Sequence, residues 1–235
     1  MHALRHLARL GADVVQARWM QAGFGAGGAP RDTPRNLMGF KDGTMNPREP
    51  IDFDRHVWVG AEGGWMQGGS YLVARPIRIA LEHWDRMTLA FQEQVVGRHK
   101  ASGAPLGQTR EFAPPDLAAP DAEGNPLIPE NSHVALAAPA RNEGAQILRR
   151  AYSYDNGLAF IAERWPPWRQ GLMRDAGLMF LCWQADPRRG FVKIFEAMAK
   201  FDTMTQFTTH IGSGLFACPP GARPGGFIGE TLFAA

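Results

Sequence analysis

Residues 71–96 read YLVARPIRIALEHWDRMTLAFQEQVV, and the two halves of this stretch follow different periods. Tyr71 to Ile79 alternates and is rich in strand formers, although Pro76 has no N–H to give to a ladder, which predicts an edge position or a bulge there. From Leu81 to Val96 the period turns helical: Trp84, Met87, Phe91 and Val95 fall on one stripe, and Gly97 ends it. A strand feeding an amphipathic helix is the unit from which the fold is read.

Working outward, Ala113 to Pro129 carries five prolines and the turn pair Gly124-Asn125, so it is a loop. Gly177 to Trp183 (GLMFLCW) reads as a buried strand. Phe191 to Lys200 reads as a helix with Phe191, Ile194, Phe195 and Met198 inward, and Ser213 to Cys218 as a final strand. The order strand, helix, long insertion, strand, helix, strand predicts an α+β domain: a ferredoxin-like antiparallel sheet with helices on one face. Towards the N-terminus, Leu4, Leu7 and Leu10 mark a helix that stops at Gly11, and Val14 to Phe24 reads as an extended strand. Gly25 to Pro34 is a Gly/Pro-rich loop, and Arg48 to Gly69, with Trp58 and Trp65, looks irregular.

The 235 residues can bury a substantial core, and 45% apolar with 20% charged residues excludes the disordered class. A net charge of +2 with no dense Lys/Arg block argues against nucleic acid as a partner. Cys182 and Cys218, the two cysteines, make neither a disulfide framework nor a thiolate metal cage. No apolar run is long enough to span a bilayer, and Met1 to Gly11 lacks the features of a secretory signal.

The chemistry-bearing candidates are few. Asn36 to Pro47 (NLMGFKDGTMNP) sets Asp42 in a turn between Gly39 and Gly43, with Leu37, Met38 and Phe40 to anchor it on a core. His133 stands directly before an apolar run (NSHVAL), and the pair Arg149-Arg150 precedes Tyr152-Ser153-Tyr154. Each admits a plain reading on its own: Asp42 as a cap of its own turn, His133 as a structural imidazole, the arginines as a solvated pair.

Seven blocks in order carry more than any of these residues alone: NLMGFKDGTMNP, GGSYLVARPIRIALEHWDR, GRHKASGAPLG, SHVALAAP, ILRRAYSY, AGLMFLCWQADPRRGF and GSGLFACPPG. From about Leu4 to the C-terminus the chain resembles the dye-decolorising peroxidases, in particular the deferrochelatase/peroxidase subgroup. That resemblance implies haem b as cofactor, and hydrogen peroxide used through a ferryl intermediate to oxidise bulky dyes or phenolic or porphyrin-type reductants. It implies Asp42 of the GxxDG turn as the distal acid-base residue, His133 as the iron ligand and Arg149 as the distal arginine. Gly43, Thr44 and Met45 are expected along the haem, with Ala138, Pro139 and Arg141 on its propionate side. Tyr152, Tyr154, Trp165 and Trp168 are candidates for electron exit, with packing as their plain alternative.

The chain also departs from the family pattern. Only a helix, a strand and a loop precede the Asp42 turn, so residues 1–69 read as a remnant of an N-terminal ferredoxin-like half and residues 70–235 as the C-terminal, haem-binding one. Gln206 stands where an acidic partner of the ligand histidine is expected, with Asp202 as a nearby alternative; a neutral partner predicts a higher Fe(III)/Fe(II) potential. Ala151 replaces a polar distal residue, and Pro76 replaces an Arg. Haem binding or iron release without turnover, and a non-catalytic remnant, are the alternative functions. Relatives of this subgroup are often periplasmic or extracellular, against which stand the missing export signal and a cytoplasmic alternative. A homo-oligomer is left open.

Overall fold

The computed structural model describes residues 1–25, 33–162 and 170–233. Helix α1 (His2–Leu10) ends at Gly11 as its leucine spacing predicts. Val14 to Phe24 is not a strand. It is exposed, and among the described residues it pairs through one bridge, in which Phe24 and Ser153 exchange backbone hydrogen bonds of 2.8 and 2.9 Å. Without a further strand alongside, one bridge cannot propagate a ladder. The segment 48–69 is more regular than its composition indicates: α2 (Pro50–His56) starts with proline in its first turn, where the lost N–H has no intrahelical partner.

Strand β1 (Ser70–Ile79) follows. The helical stretch after it is two helices, α3 (Leu81–Trp84) and α4 (Leu89–Val96), because the Thr88 hydroxyl accepts from Phe91 N at 3.3 Å and starts a new helix. Gly97 closes α4 at φ 87°, a left-handed value that glycine takes without strain. Residues 113–129 form turns without helix or strand. Then come α5 (His133–Ala137), β2 (Leu148–Arg149), β3 (Tyr152–Ala162) and β4 (Gln170–Gln184). A wide turn at Arg188–Val192 leads into α6 (Lys193–Phe201), followed by β5 (Thr208–His210), β6 (Gly214–Cys218) and α7 (Glu230–Phe233).

All strand pairs are antiparallel. β1 lies between β4 on one side and β5 with β6 on the other, while β2 and β3 share the far side of β4. With β2/β3 and β5/β6 each counted as one broken ribbon, the spatial order is that of a ferredoxin-like sheet, each helical connection skipping one strand. Pro76 is therefore on an interior strand, not an edge. On one side it faces Met179 of β4. On the other, β5 ends at His210 opposite Ile77 and β6 begins at Gly214 opposite Ala74, and the Pro76 carbonyl accepts from Ile211 N at 3.0 Å. Since N and C=O of one residue face the same neighbour in an antiparallel ladder, the missing N–H falls at the gap between β5 and β6.

The core beside the sheet gathers Met38, Phe40, Ile79, Trp84, Val95, Val96 and Phe207. Trp84 is fully buried, and its indole N–H donates to the Met38 carbonyl at 3.1 Å, tying the Asp42 loop to α3. Trp84→Ala is expected to cost about 3–5 kcal/mol, the usual range for deleting a buried aromatic. Urea denaturation followed by circular dichroism measures it, and a loss under about 1 kcal/mol would show that Trp84 does not hold this core.

Candidate functional site

The Asp42 turn is shaped by groups other than Asp42. Gly39 and Gly43 take φ of 85° and 92°, where a side chain would be strained. Asn36 Oδ1 accepts from Met38 N at 3.0 Å and Phe40 N at 3.2 Å, so Asn36 is the cap. Arg35 ties the turn to the neighbouring loop by donating to the carbonyls of Gly39 (2.8 Å), Lys100 (2.6 Å) and Ala101 (2.8 Å). The Asp42 carboxylate instead meets Arg149 Nη2 at 3.2 Å, an ion pair neither deeply buried nor fully solvated. Asn46 fixes that meeting. Its amide donates to Arg149 O at 2.8 Å and accepts from Arg149 N at 3.0 Å, so one side chain serves as a strand neighbour for β2. Asn46 was within the quoted motif, but no spacing in the sequence connects it to a residue 103 positions away.

His133 opens α5, whose N-cap is Ser132. Its Nδ1 lies 2.7 Å from Asp202 Oδ2, and the Asp202 side chain is only 3% exposed. The other oxygen, Oδ1, accepts from Met204 N at 2.8 Å and caps the turn after α6, so both carboxylate oxygens are fixed. An ionised carboxylate only accepts, so Nδ1 is the donor in this contact, and in the neutral imidazole that tautomer has its lone pair on Nε2. The acidic partner is thus Asp202. Gln206 stands at the end of that turn and is exposed. With a carboxylate behind it, the imidazole is a stronger donor than a neutral amide would make it, so the higher potential expected from Gln206 no longer follows.

One cavity joins these groups. It offers about 260 Å³ to the centres of water molecules, and its lining includes Asp42, Gly43, Thr44, Met45, His133, Ala138, Pro139 and Arg149. Arg141 is absent from that lining; it is exposed and donates to the Glu130 carbonyl at 3.1 Å. Apolar walls come from Ile77 and Ile79 of β1, Leu178 and Phe180 of β4, and Phe191, Ile194, Phe195 and Met198, the inward stripe of the α6 segment. Among the described residues no three His, Cys, Asp or Glu side chains converge as a metal cage. Tyr154 is fully buried, and burial pushes its phenol up to about 12. Tyr152 lies under the Arg150 guanidinium, 5.2 Å from ring centre, while Trp165 and Trp168 fall outside the described residues.

An imidazole backed by a buried carboxylate, a carboxylate–guanidinium pair and apolar walls from the sheet and α6 thus meet in one cavity of an α+β domain. Residues 33–223 match the family model of the Dyp-type peroxidase C-terminal region, and the chain belongs to that family. It is 44% identical over 241 residues to the dye-decolorizing peroxidase of Thermobifida fusca (strain YX), covering 98% of this chain and 53% of that one. Identity to the deferrochelatase of Escherichia coli (strain UTI89 / UPEC) is 37% over 244 residues, covering 99% and 55%. Ferric DtpA from Streptomyces lividans superposes with a TM-score of 0.89 at 40% identity, over all of this chain and 62% of that one. The DyP-type peroxidase from Cellulomonas bogoriensis gives 0.85 at 33% identity, over all of this chain and 63% of its own. The chain spans about half the length of the curated relatives it matches.

Proposed function

We propose that the cavity binds haem b through His133 and that the chain serves a peroxidase reaction, with hydrogen peroxide oxidising bulky dyes or phenolic or porphyrin-type reductants. The observation that carries this reading is the 2.7 Å contact of His133 with the buried Asp202 carboxylate, in the same cavity that the Asp42–Arg149 pair lines. Residues 70–235 are the haem-binding unit in this proposal, and residues 1–69 supply the Asp42 loop.

The residues suit the group. Phenyl and aliphatic walls suit the faces of a flat macrocycle, and His133, with Nδ1 turned to Asp202, would hold the iron through Nε2. When bound, haem supplies the iron that exchanges electrons with peroxide. Asp42 takes a proton from one peroxide oxygen and returns it to the other, so that water can leave. The Arg149 guanidinium would stabilise negative charge that develops on the peroxide oxygens. Asn46 holds the Arg149 backbone and thereby sets where that charge sits. The names of the relatives support the reading, as do the ferric form and oxyferrous complex of the Streptomyces lividans protein.

Steady-state oxidation of an anthraquinone dye by the haem-loaded chain tests it. Turnover that depends on peroxide is expected; haem binding without turnover would favour iron handling, as in the relatives named deferrochelatase. Asp202→Asn tests the proximal half separately. Loss of the carboxylate is expected to raise the Fe(III)/Fe(II) midpoint by about 60 mV or more, the equivalent of a tenfold change in relative stabilisation. Spectroelectrochemical titration reads this, and an unmoved midpoint would remove Asp202 from the tuning role.

A further inference from the structure

Lys41 and Asp42 are adjacent in the chain and both border the cavity, yet their charges are held apart. Among the described residues the Asp42 carboxylate pairs with Arg149 at 3.2 Å, whereas the Lys41 ammonium pairs with Glu111, 70 positions away. The Thr33 hydroxyl donates to the other Glu111 oxygen, so both oxygens of that carboxylate are occupied. The Lys41 and Glu111 side chains are only 21% and 15% exposed, which sets this pair apart from the weakly held pairs of an open surface.

The receiving loop is built around the lysine. Its aliphatic stem passes Gly103, where an added Cβ would come within 2.7 Å of Lys41 Cδ and 3.3 Å of Glu111 Cγ, so a side chain there would displace the stem. The φ of 76° at Gly103 is one that glycine takes without strain. Arg98, only 4% exposed, donates through Nη1 to the carbonyls of Gly103 at 2.6 Å and Glu111 at 3.0 Å, and thereby fixes both sides of the path. Arg35 fastens the same loop to the Asp42 turn through the carbonyls of Gly39, Lys100 and Ala101. Burial pushes the Glu111 carboxyl up, but hydrogen bonds from Lys41 and Thr33 and the charges of Lys41 and Arg98 outweigh it and hold its pKa below the ordinary value. Glu111 is therefore an anion at neutral pH.

We infer that Glu111 is a positioning residue of the Asp42 turn: it draws the Lys41 ammonium into the neighbouring loop and so leaves the Asp42 carboxylate to Arg149. The inference rests on the acid-base role proposed for Asp42 and goes beyond it. Neighbouring Cα atoms are about 3.8 Å apart, and a released lysine stem is long and flexible enough to bring its ammonium to the next carboxylate. A second cation there would favour the ionised carboxylate and weaken it as a proton acceptor.

Two measurements on the whole chain test this. In the haem-free chain, acetylation by an N-hydroxysuccinimide ester, followed by mass spectrometry at Lys41 relative to the exposed Lys200, reads how firmly the ammonium is held. Glu111→Met, which removes the acceptor at similar length, is expected to raise that ratio about tenfold, the scale of one charge-assisted hydrogen bond. In the haem-loaded chain, stopped-flow mixing with peroxide is followed against pH. Glu111→Met is expected to slow the reaction about three- to tenfold at neutral pH and to move its acid-side half-rate point about one pH unit lower, the shift that an added neighbouring cation produces. Lys41→Met/Glu111→Met removes the ammonium as well, and is expected to bring the rate back to within about twofold and the half-rate point back to its starting pH. If Glu111→Met does not fold, Glu111→Gln takes its place in each comparison. An unchanged acetylation ratio would overturn the inference, as would a double variant that stayed as slow as the single one, since a merely structural loss is not repaired by deleting the lysine charge. Either result in a chain that binds haemin overturns this inference alone; a chain that bound no haemin would overturn the haem reading and, with it, the role that Glu111 protects.

Discussion

His133→Ala is expected to lower haemin affinity by more than about a hundredfold, beyond the 10–100-fold usual for losing only the outer partner of a metal-bound histidine. The reason is local. His133 is the first residue of α5, Ser132 caps that helix, and Ala135 and Leu136 are buried behind it, so the backbone stays in place when the ring is removed. What disappears is the nitrogen that Asp202 orients from 69 residues away. The truncated side chain leaves a hole of imidazole size, and free imidazole is expected to restore the Soret band of the haemin complex. A variant that bound haemin with unchanged affinity and spectrum would show that another side chain is the ligand.

Asp42→Asn is expected to slow the reaction of the haem-loaded chain with peroxide by about 10²–10⁴-fold, the range for losing a positioned acid-base group. Asparagine keeps the shape and the Arg149 contact but cannot take a proton. The turn survives the change because its caps are Asn36 and Arg35, its glycines are untouched, and Met38 and Phe40 remain in the core. Haemin affinity is therefore expected to stay within a few-fold of its starting value. Stopped-flow mixing with peroxide reads the rate, and Arg149→Leu is expected to show a loss of similar order by removing the charge rather than the proton shuttle. Unchanged rates in Asp42→Asn would remove the acid-base role.

Much of this architecture was legible in residues 71–96 and in the α6 segment, because alternation and helical stripes record which face is buried. Trp84 and Val95 are core residues, and Phe191, Ile194, Phe195 and Met198 all line the cavity. Elements whose existence depends on a partner were not legible. β2 has two residues and β5 three, too few for a period, and they become strands only because β4 and β1 offer free ladder groups. β3 hides its alternation in YSYDNG, where Gly157 and the Asp155 side chain form an irregular step. Pro76 misled for the same reason: its missing N–H was harmless at a gap between two neighbouring strands that no local pattern announces.

The site divides in the same way. Asp42, His133 and Arg149 were singled out by the resemblance that seven ordered blocks carry, and the structure brings all three to one cavity. Asp202 and Gln206 lie four positions apart, and the choice between them depends on how the chain turns after α6.

The haem reading requires that this cavity hold haem in a form that reacts with peroxide. The direct measurement is the absorption spectrum of the purified chain titrated with haemin and then mixed with hydrogen peroxide. The expected result is a Soret band that saturates with haemin, disappears in His133→Ala and changes promptly on adding peroxide. A spectrum that remained that of free haemin, with no change on peroxide beyond that of free haemin, would contradict it.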